Sequence, residues 1–238
     1  MNAVPAHVDG LHPRAALSGT QRDEMFALLS RFFEGVDRAQ FERDLAEKNW
    51  VVEVRREGRL LGFSTLLVEE AVFAGESLTV IYSGDTIVDP DAWGSPALAR
   101  TWIAAVNALR AAHGRRCVWL LLTSGFRTYR FLPVFWRNFF PRCDEPTPPG
   151  SQALLDQLAR ARYGGCYDAA TGVVRFPRPQ RLRGVLSELP PGRADHPDVA
   201  FFLSRNPGHN EGDELACLTE ISADNLTPAG RRMVAAVP

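Results

Sequence analysis

Residues 88–114 read VDPDAWGSPALARTWIAAVNALRAAHG, and the reading of this stretch decides the fold. The chain leaves a β-rich run, IYSGDTIV (81–88), and crosses a short turn holding Pro90, Trp93 and Gly94. It then enters an amphipathic helix through Ser95 and Pro96. Ser95 is a good N-cap, Pro96 is preorganised for the first helical position, and Gly114 suits the C-terminal stop. Leu98, Trp102, Ala105, Val106 and Leu109 recur as one apolar stripe, which gives the helix an inward face. A strand feeding a helix N-terminus through a tight loop aims unpaired backbone N–H groups at an anionic ligand. It is equally an ordinary strand-to-helix connection.

Upstream, three β-rich runs, WVVEVRREG (50–58), RLLGFSTLLVEEAVF (59–73) and ESLTVIYSGDTIV (76–88), are separated by turn signals at Gly58 and Gly75 and predict an antiparallel meander. Before them, Met25, Leu28, Leu29, Phe32 and Phe33 keep helical spacing behind a capping Thr20, and a second short helix is expected around Phe41 and Leu45. Residues 1–18, with two prolines and little periodicity, read as an arm. Downstream, CVWLLLTSG (117–125) is nearly all apolar and suits a central strand buried on both faces. YRFLPVFWRNFF (129–140) predicts a helix with Pro133 in its first turn or at a kink.

Beyond Arg142 a Pro-rich connection leads to a helix over 151–164, a strand at GVVRF (172–176), a helix in HPDVAFFLSRNPGH (196–209) ended by Pro207 and Gly208, and a late strand at DELACLTEI (213–221). The whole reads as an α/β (α+β) chain with a mixed, mostly antiparallel sheet flanked by helices. The expected division is an arm (1–18), a core (19–142) and a C-terminal region (143–238) that completes the fold and is not an independent domain.

Composition narrows the function. The 27 Lys and Arg balance 28 Asp and Glu for a formal charge of −1, so nothing favours wholesale binding to nucleic acid or to an anionic membrane. The four cysteines lie far apart without CxxC, so neither a metal site nor a disulfide framework is signalled, and a reduced, cytoplasmic setting is expected. Neither a signal-peptide pattern at the N-terminus nor a membrane-spanning run is seen.

With the turn and the element order in place, residues 20–142 resemble the GNAT superfamily of acyltransferases. That family's signature joins a strand, a loop of the form V-x-P-x-x-R/Q-G-x-G-x-G/A, and a helix whose N-terminus takes the pyrophosphate of coenzyme A. Val88, Pro90 and Gly94 fall at matching spacing. Trp93 stands where the family has Arg or Gln, Pro96 where it has the second glycine, and Leu98 where it has the third small residue. Proline has no N–H to offer a phosphate, and leucine crowds a close approach. The resemblance implies an acyltransferase that moves an acyl group from a pantetheine thioester, on coenzyme A or an acyl carrier protein, to an amine of a small molecule. It implies no permanently bound cofactor, and it places the thioester against Ile87, Val88, Trp93, Gly94, Ser95 and Ala97. The departures at Trp93, Pro96 and Leu98 also leave open a GNAT-like protein that binds a ligand or partner without catalysis.

Three residues stand out as proton carriers, the first because the resemblance implies an acid in the strand before the loop, where Asp85 is the one carboxylate of IYSGDTIV. Asp85, in the strand before the loop, shares strand parity with Ile81 and Ser83, and Gly84 permits a bulge that re-aims it; a cleft would raise its pKa toward that of a general base. The bland reading is a strand-end Asp bonded to nearby backbone. The resemblance also implies a tyrosine near the leaving thiolate, for which Tyr129 is the candidate, against its reading as a core residue. Arg127 and Arg130 beside it suit phosphate or a substrate carboxylate, or are solvated charges. In RNPGHNEGDEL (205–215), Asn206, His209 and Asp213 either converge on the acyl site or punctuate a turn. Cys117 and Cys166 carry no sign of an activating partner.

Overall fold

A computed structural model describes residues 5–235. Along the chain the elements run β1 (Leu11–Pro13), α1 (Gly19–Phe32), β2 (Phe33–Glu34), α2 (Arg38–Ala46), β3 (Trp50–Arg56), β4 (Arg59–Phe73), β5 (Glu76–Val88), α3 (Ala97–His113), β6 (Cys117–Thr123), α4 (Phe126–Tyr129), α5 (Phe131–Phe135), β7 (Phe139–Phe140), α6 (Pro149–Tyr163), β8 (Tyr167–Asp168), β9 (Val173–Val174), β10 (Arg181–Leu182), α7 (Pro197–Arg205), β11 (Glu214–Glu220) and α8 (Pro228–Ala235). They form two compact units. The first takes the chain up to Arg31, Val36–Trp119, and Glu220 onward; the second takes Phe32–Gly35 and Leu120–Thr219. The boundary between the two units falls inside β6, and the C-terminal end returns to the first unit.

In the first unit, β1, β3, β4 and β5 pair antiparallel in that order. Two tight turns set the register. Glu57 and Gly58 (φ 51° and 82°) and Ala74 and Gly75 (φ 51° and 82°) each put two consecutive residues in the left-handed region. Such a turn matches the right-handed twist of the strands it joins. The expected arm is in part a strand: Leu11–Pro13 pair with Trp50–Val52, and Gly10 O accepts from Glu53 N at 2.7 Å. Three residues are too few for alternation to show in sequence.

Helix α1 begins two residues earlier than the Thr20 cap implied. Gln21 N donates to Ser18 Oγ and Ser18 N to Gln21 Oε1, a reciprocal capping box. Helix α3 buries Trp102, Ile103, Ala105, Val106 and Leu109, and Gly114 closes it at φ 62°. Pro96 is its N-cap, so the helix proper starts at Ala97, one residue later than expected; Ser95 Oγ accepts from Ala97 N at 3.2 Å. Helix α8, for which the sequence offers no clear signal, packs on α3.

In the second unit, β11 pairs antiparallel with β9 and β7, β9 with β8, and β10 with β2. All seven residues of β6 are buried. Of the helix expected over 129–140 only Phe131–Phe135 is a helix of its own: α4 ends at Tyr129, Phe139–Phe140 form β7, and Pro133 has no N–H for the Tyr129 carbonyl, while Val134 N reaches Arg130 O at 3.3 Å. Among the described residues, no helix is long and apolar enough to cross a membrane.

Candidate active site

The site grows from one irregularity in the β4–β5 pair. Ser64 stands opposite Thr86 and Leu66 opposite Ser83, so Thr65 faces two residues, Gly84 and Asp85. This is a β-bulge, and an extra residue reverses the side to which the following side chain points. The face toward α3 is fixed by a chain of contacts. Trp102 Nε1 donates to Ser64 Oγ at 3.2 Å, Ser64 Oγ lies 2.8 Å from Thr86 Oγ1, and Trp119 Nε1 donates to Ser83 Oγ at 2.9 Å. The two indoles lie with centroids 4.3 Å apart. Without the bulge, Asp85 would join Ser83 on this face.

Asp85 instead meets Asp44 of α2 and Lys48, which follows that helix. The residue keeps some solvent contact, yet its carboxyl is enclosed enough that desolvation, then the Asp44 charge, push its pKa up to about 6; Lys48 pulls the other way. Burial likewise raises the Asp44 carboxyl, against a hydrogen bond from Gln40 Nε2 at 2.7 Å.

Lys48 is buried. Its Nζ donates to Asp44 O at 2.8 Å and stands 5.4 Å from the centroid of the Tyr82 ring. A Cβ added at Gly84 would lie 2.7 Å from Lys48 Cε and 2.7 Å from Thr65 Oγ1, so glycine is what lets the lysine stem cross the bulge. Thr65 Oγ1 is buried and has no hydrogen-bond partner among the described residues.

Sequence reasoning missed Asp44 and Lys48. The signal for Lys48 was present: it is the only lysine among 27 Lys and Arg.

Of the residues assigned to the thioester, Val88, Ser95 and Ala97 line a cavity of about 140 Å³ with Arg55, Arg56 and Gly62. Ile87 is buried opposite Phe63. Trp93 and Gly94 lie exposed on the turn. At the helix start the amides are fewer than the resemblance implied: Pro96 has none and that of Ala97 is taken by Ser95. Arg55 is held by Glu53 and Glu24, while Arg59 and Arg31 both reach the buried Asp89 at the end of β5.

The second unit holds the remaining candidates. Tyr129 is fully buried against Phe202 and Phe139, its hydroxyl donates to Pro141 O at 2.9 Å, and burial raises its pKa, so its proton is committed to the core. The hydroxyl that the resemblance cast as a proton donor is thus bound to a backbone carbonyl within the second unit. Arg127 donates to Leu186 O and Glu188 O, which makes it a clasp on that loop instead of a free anion site. Arg130 lies beside His196, at 3.4 Å. His209, Asn206 and Asp213 do come together, but as a turn: His209 Nδ1 is 3.0 Å from Asn206 O, and Asn206 Nδ2 donates to Asp213 O at 2.8 Å.

Two helices, three antiparallel strands, a long helix entered from the third strand, and a further strand follow one another along the chain. This is the element order that the resemblance implied. Solved structures similar to the chain include a probable N-acyltransferase from Enterococcus faecalis, at 14% identity over 54% of this chain and 32% of that one, with a TM-score of 0.41. They also include the GNAT family N-acetyltransferase YhbS from Escherichia coli in complex with CoA, at 19% identity over 54% and 69% with a TM-score of 0.38. A third is an aminoglycoside acetyltransferase from an uncultured soil metagenomic sample in complex with sisomicin, at 19% identity over 47% and 73% with a TM-score of 0.35. The chain spans about a third of the length of the first. No protein-family model and no curated protein matches it.

Proposed function

We propose that the protein is an N-acyltransferase, moving an acyl group from a pantetheine thioester directly to the amine of a small molecule, with Asp85 as the base. The observation that carries this reading is the bulge at Gly84–Asp85, which turns a carboxyl with a pKa of about 6 toward Asp44 and Lys48. A base with that pKa is ionised at neutral pH, yet holds a proton more readily than an ordinary aspartate. Asp44 adds a second carboxyl, and the Tyr82 ring an electron-rich face. Together they suit an acceptor that arrives as an ammonium ion.

The donor supplies an activated carbonyl carbon. The chain's part is to align the acceptor, remove its proton at Asp85 and keep bulk water from the acyl group. A thiolate leaves without an acid, so Tyr129 and His209 have no step in this scheme. The reduced set of amides at the start of α3 favours a donor whose phosphates contribute little to binding, such as a carrier-protein thioester. The test is incubation with panels of acyl-CoA and acyl-carrier thioesters and polyamine acceptors, read as donor-dependent thermal stabilisation and release of free thiol. Absence of both with every donor overturns the reading. The same missing amides favour a second reading, a GNAT-like binding protein, for which a donor would stabilise the chain and stay unconsumed.

A further inference from the structure

Of the 27 Lys and Arg, every one but Lys48 is an arginine, which thioesters do not acylate near neutral pH. The exception, Lys48, is withdrawn from the surface and laid across the bulge that carries the proposed base. Lysine is almost never fully buried without a specific arrangement, because its ammonium loses hydration. Here the arrangement is that of an acceptor amine. Nζ donates to Asp44 O at 2.8 Å, lies 3.4 Å from where a Gly84 Cβ would stand, and has Asp85 as a charged neighbour.

We propose that Lys48 is itself an acyl acceptor, so that the protein acylates its own Nζ from a thioester donor. The inference rests on the acyl-transfer reading above. The Asp85 carboxylate takes one proton from the Lys48 ammonium, and the freed lone pair attacks the thioester carbonyl. The C–N bond forms and the C–S bond breaks. The sulfur leaves with the bonding pair, and the second proton lost by nitrogen ends on it, giving free thiol and a secondary amide. The product has lost the positive charge beside Asp85, so self-acylation also changes the base that serves any other acceptor.

Acetyl-CoA is the probe for a first experiment on the full chain, followed by intact mass and peptide mapping, with thiol release measured in parallel on a polyamine. The expected result is one hydroxylamine-stable acetyl group at Lys48, accumulating with time, slowed about 10-fold or more in Asp85→Asn and missing in Lys48→Arg. Since Lys48→Arg places a larger group in a buried site, its melting curve is recorded, and Asp85→Asn carries the comparison if that variant unfolds. Acetylation at the Met1 amine alone, or at Lys48 with the same rate in Asp85→Asn, overturns the inference as adventitious chemistry. Thiol release to the polyamine with Lys48 unmodified also overturns it and leaves the proposed function standing. No donor stabilisation and no thiol release, with acetyl-CoA or with any thioester of the panel, overturns both.

Discussion

Asp85 follows Ser83 by two residues, yet the two side chains serve opposite faces of the sheet: Ser83 Oγ receives Trp119 Nε1, and Asp85 is coupled to Asp44 and Lys48. In a regular strand, residues i and i+2 share a face. The bulge opposite Thr65 breaks that rule and places a carboxyl among charges while Ser83 stays with the indoles.

From this follows the effect of removing the base. Asp85→Asn keeps size and is expected to lower turnover about 10²-fold or more while leaving donor binding nearly intact. In the wild type, activity should rise with pH through about 6, where the carboxyl gives up its proton. Steady-state rates at saturating donor and acceptor check both; full activity in the variant across the neutral range would make Asp85 a structural residue.

The same shift sets a dependence of stability on pH. An acid whose pKa moves from 3.8 to about 6 binds more protons folded than unfolded between those values. Its contribution therefore turns unfavourable as pH rises through that window and stays so above it. After discounting for solvent contact, the penalty is roughly 2 kcal/mol. The melting temperature of Asp85→Asn, relative to wild type, should thus be more favourable at pH 8 than near pH 4. Equal differences at both ends would mean the carboxyl is not desolvated.

Tyr129→Phe separates packing from catalysis. The phenyl ring retains the contacts with Phe202 and Phe139 but loses the bond to Pro141 O. Leaving a buried carbonyl short of its donor costs on the order of 1–2 kcal/mol. The expected outcome is a lower melting temperature with turnover unchanged on folded protein. Turnover reduced by about an order of magnitude or more, without destabilisation, would restore the tyrosine as a proton donor.

The elements legible in sequence are those whose signals are local. Glycine at 58 and 75 marked both hairpin turns, the apolar stripe from Leu98 to Leu109 marked α3, and the unbroken apolar run from Cys117 marked β6. Gly84 beside Asp85 announced a bulge, but not which face Asp85 would reach, because that depends on the register with β4. Asp44 stayed hidden because its importance comes from proximity to Asp85, 41 residues on, and not from a motif. The split at Arg130 follows from one missing amide at Pro133, and the return of α8 to α3 from contacts far apart in sequence.

The least legible strand, β1, gives the sharpest stability test. Gly10 has φ +83°, a region that non-glycine residues rarely adopt, and a Cβ there would land on the Glu53 carbonyl oxygen with Thr101 Cγ2 2.9 Å away. That carbonyl is backbone in the middle of β3 and cannot yield as a flexible side chain does. Relief would require Gly10 to move away, which would break the bond from Glu53 N to Gly10 O and strip β1 from the sheet edge. Glu53 is itself buried and held by Arg55 and Gln21, so the disturbance would reach the strand that lines the cavity at the start of α3. Left-handed strain and the clash together should cost about 2 kcal/mol or more, a fall in melting temperature of roughly 4–8 °C for a chain of this size. Gly10→Ala is read by thermal melting beside Gly19→Ala, whose Cβ meets nothing within 4 Å. If both melt with the wild type, residues 10–13 are an arm after all and the sheet begins at β3.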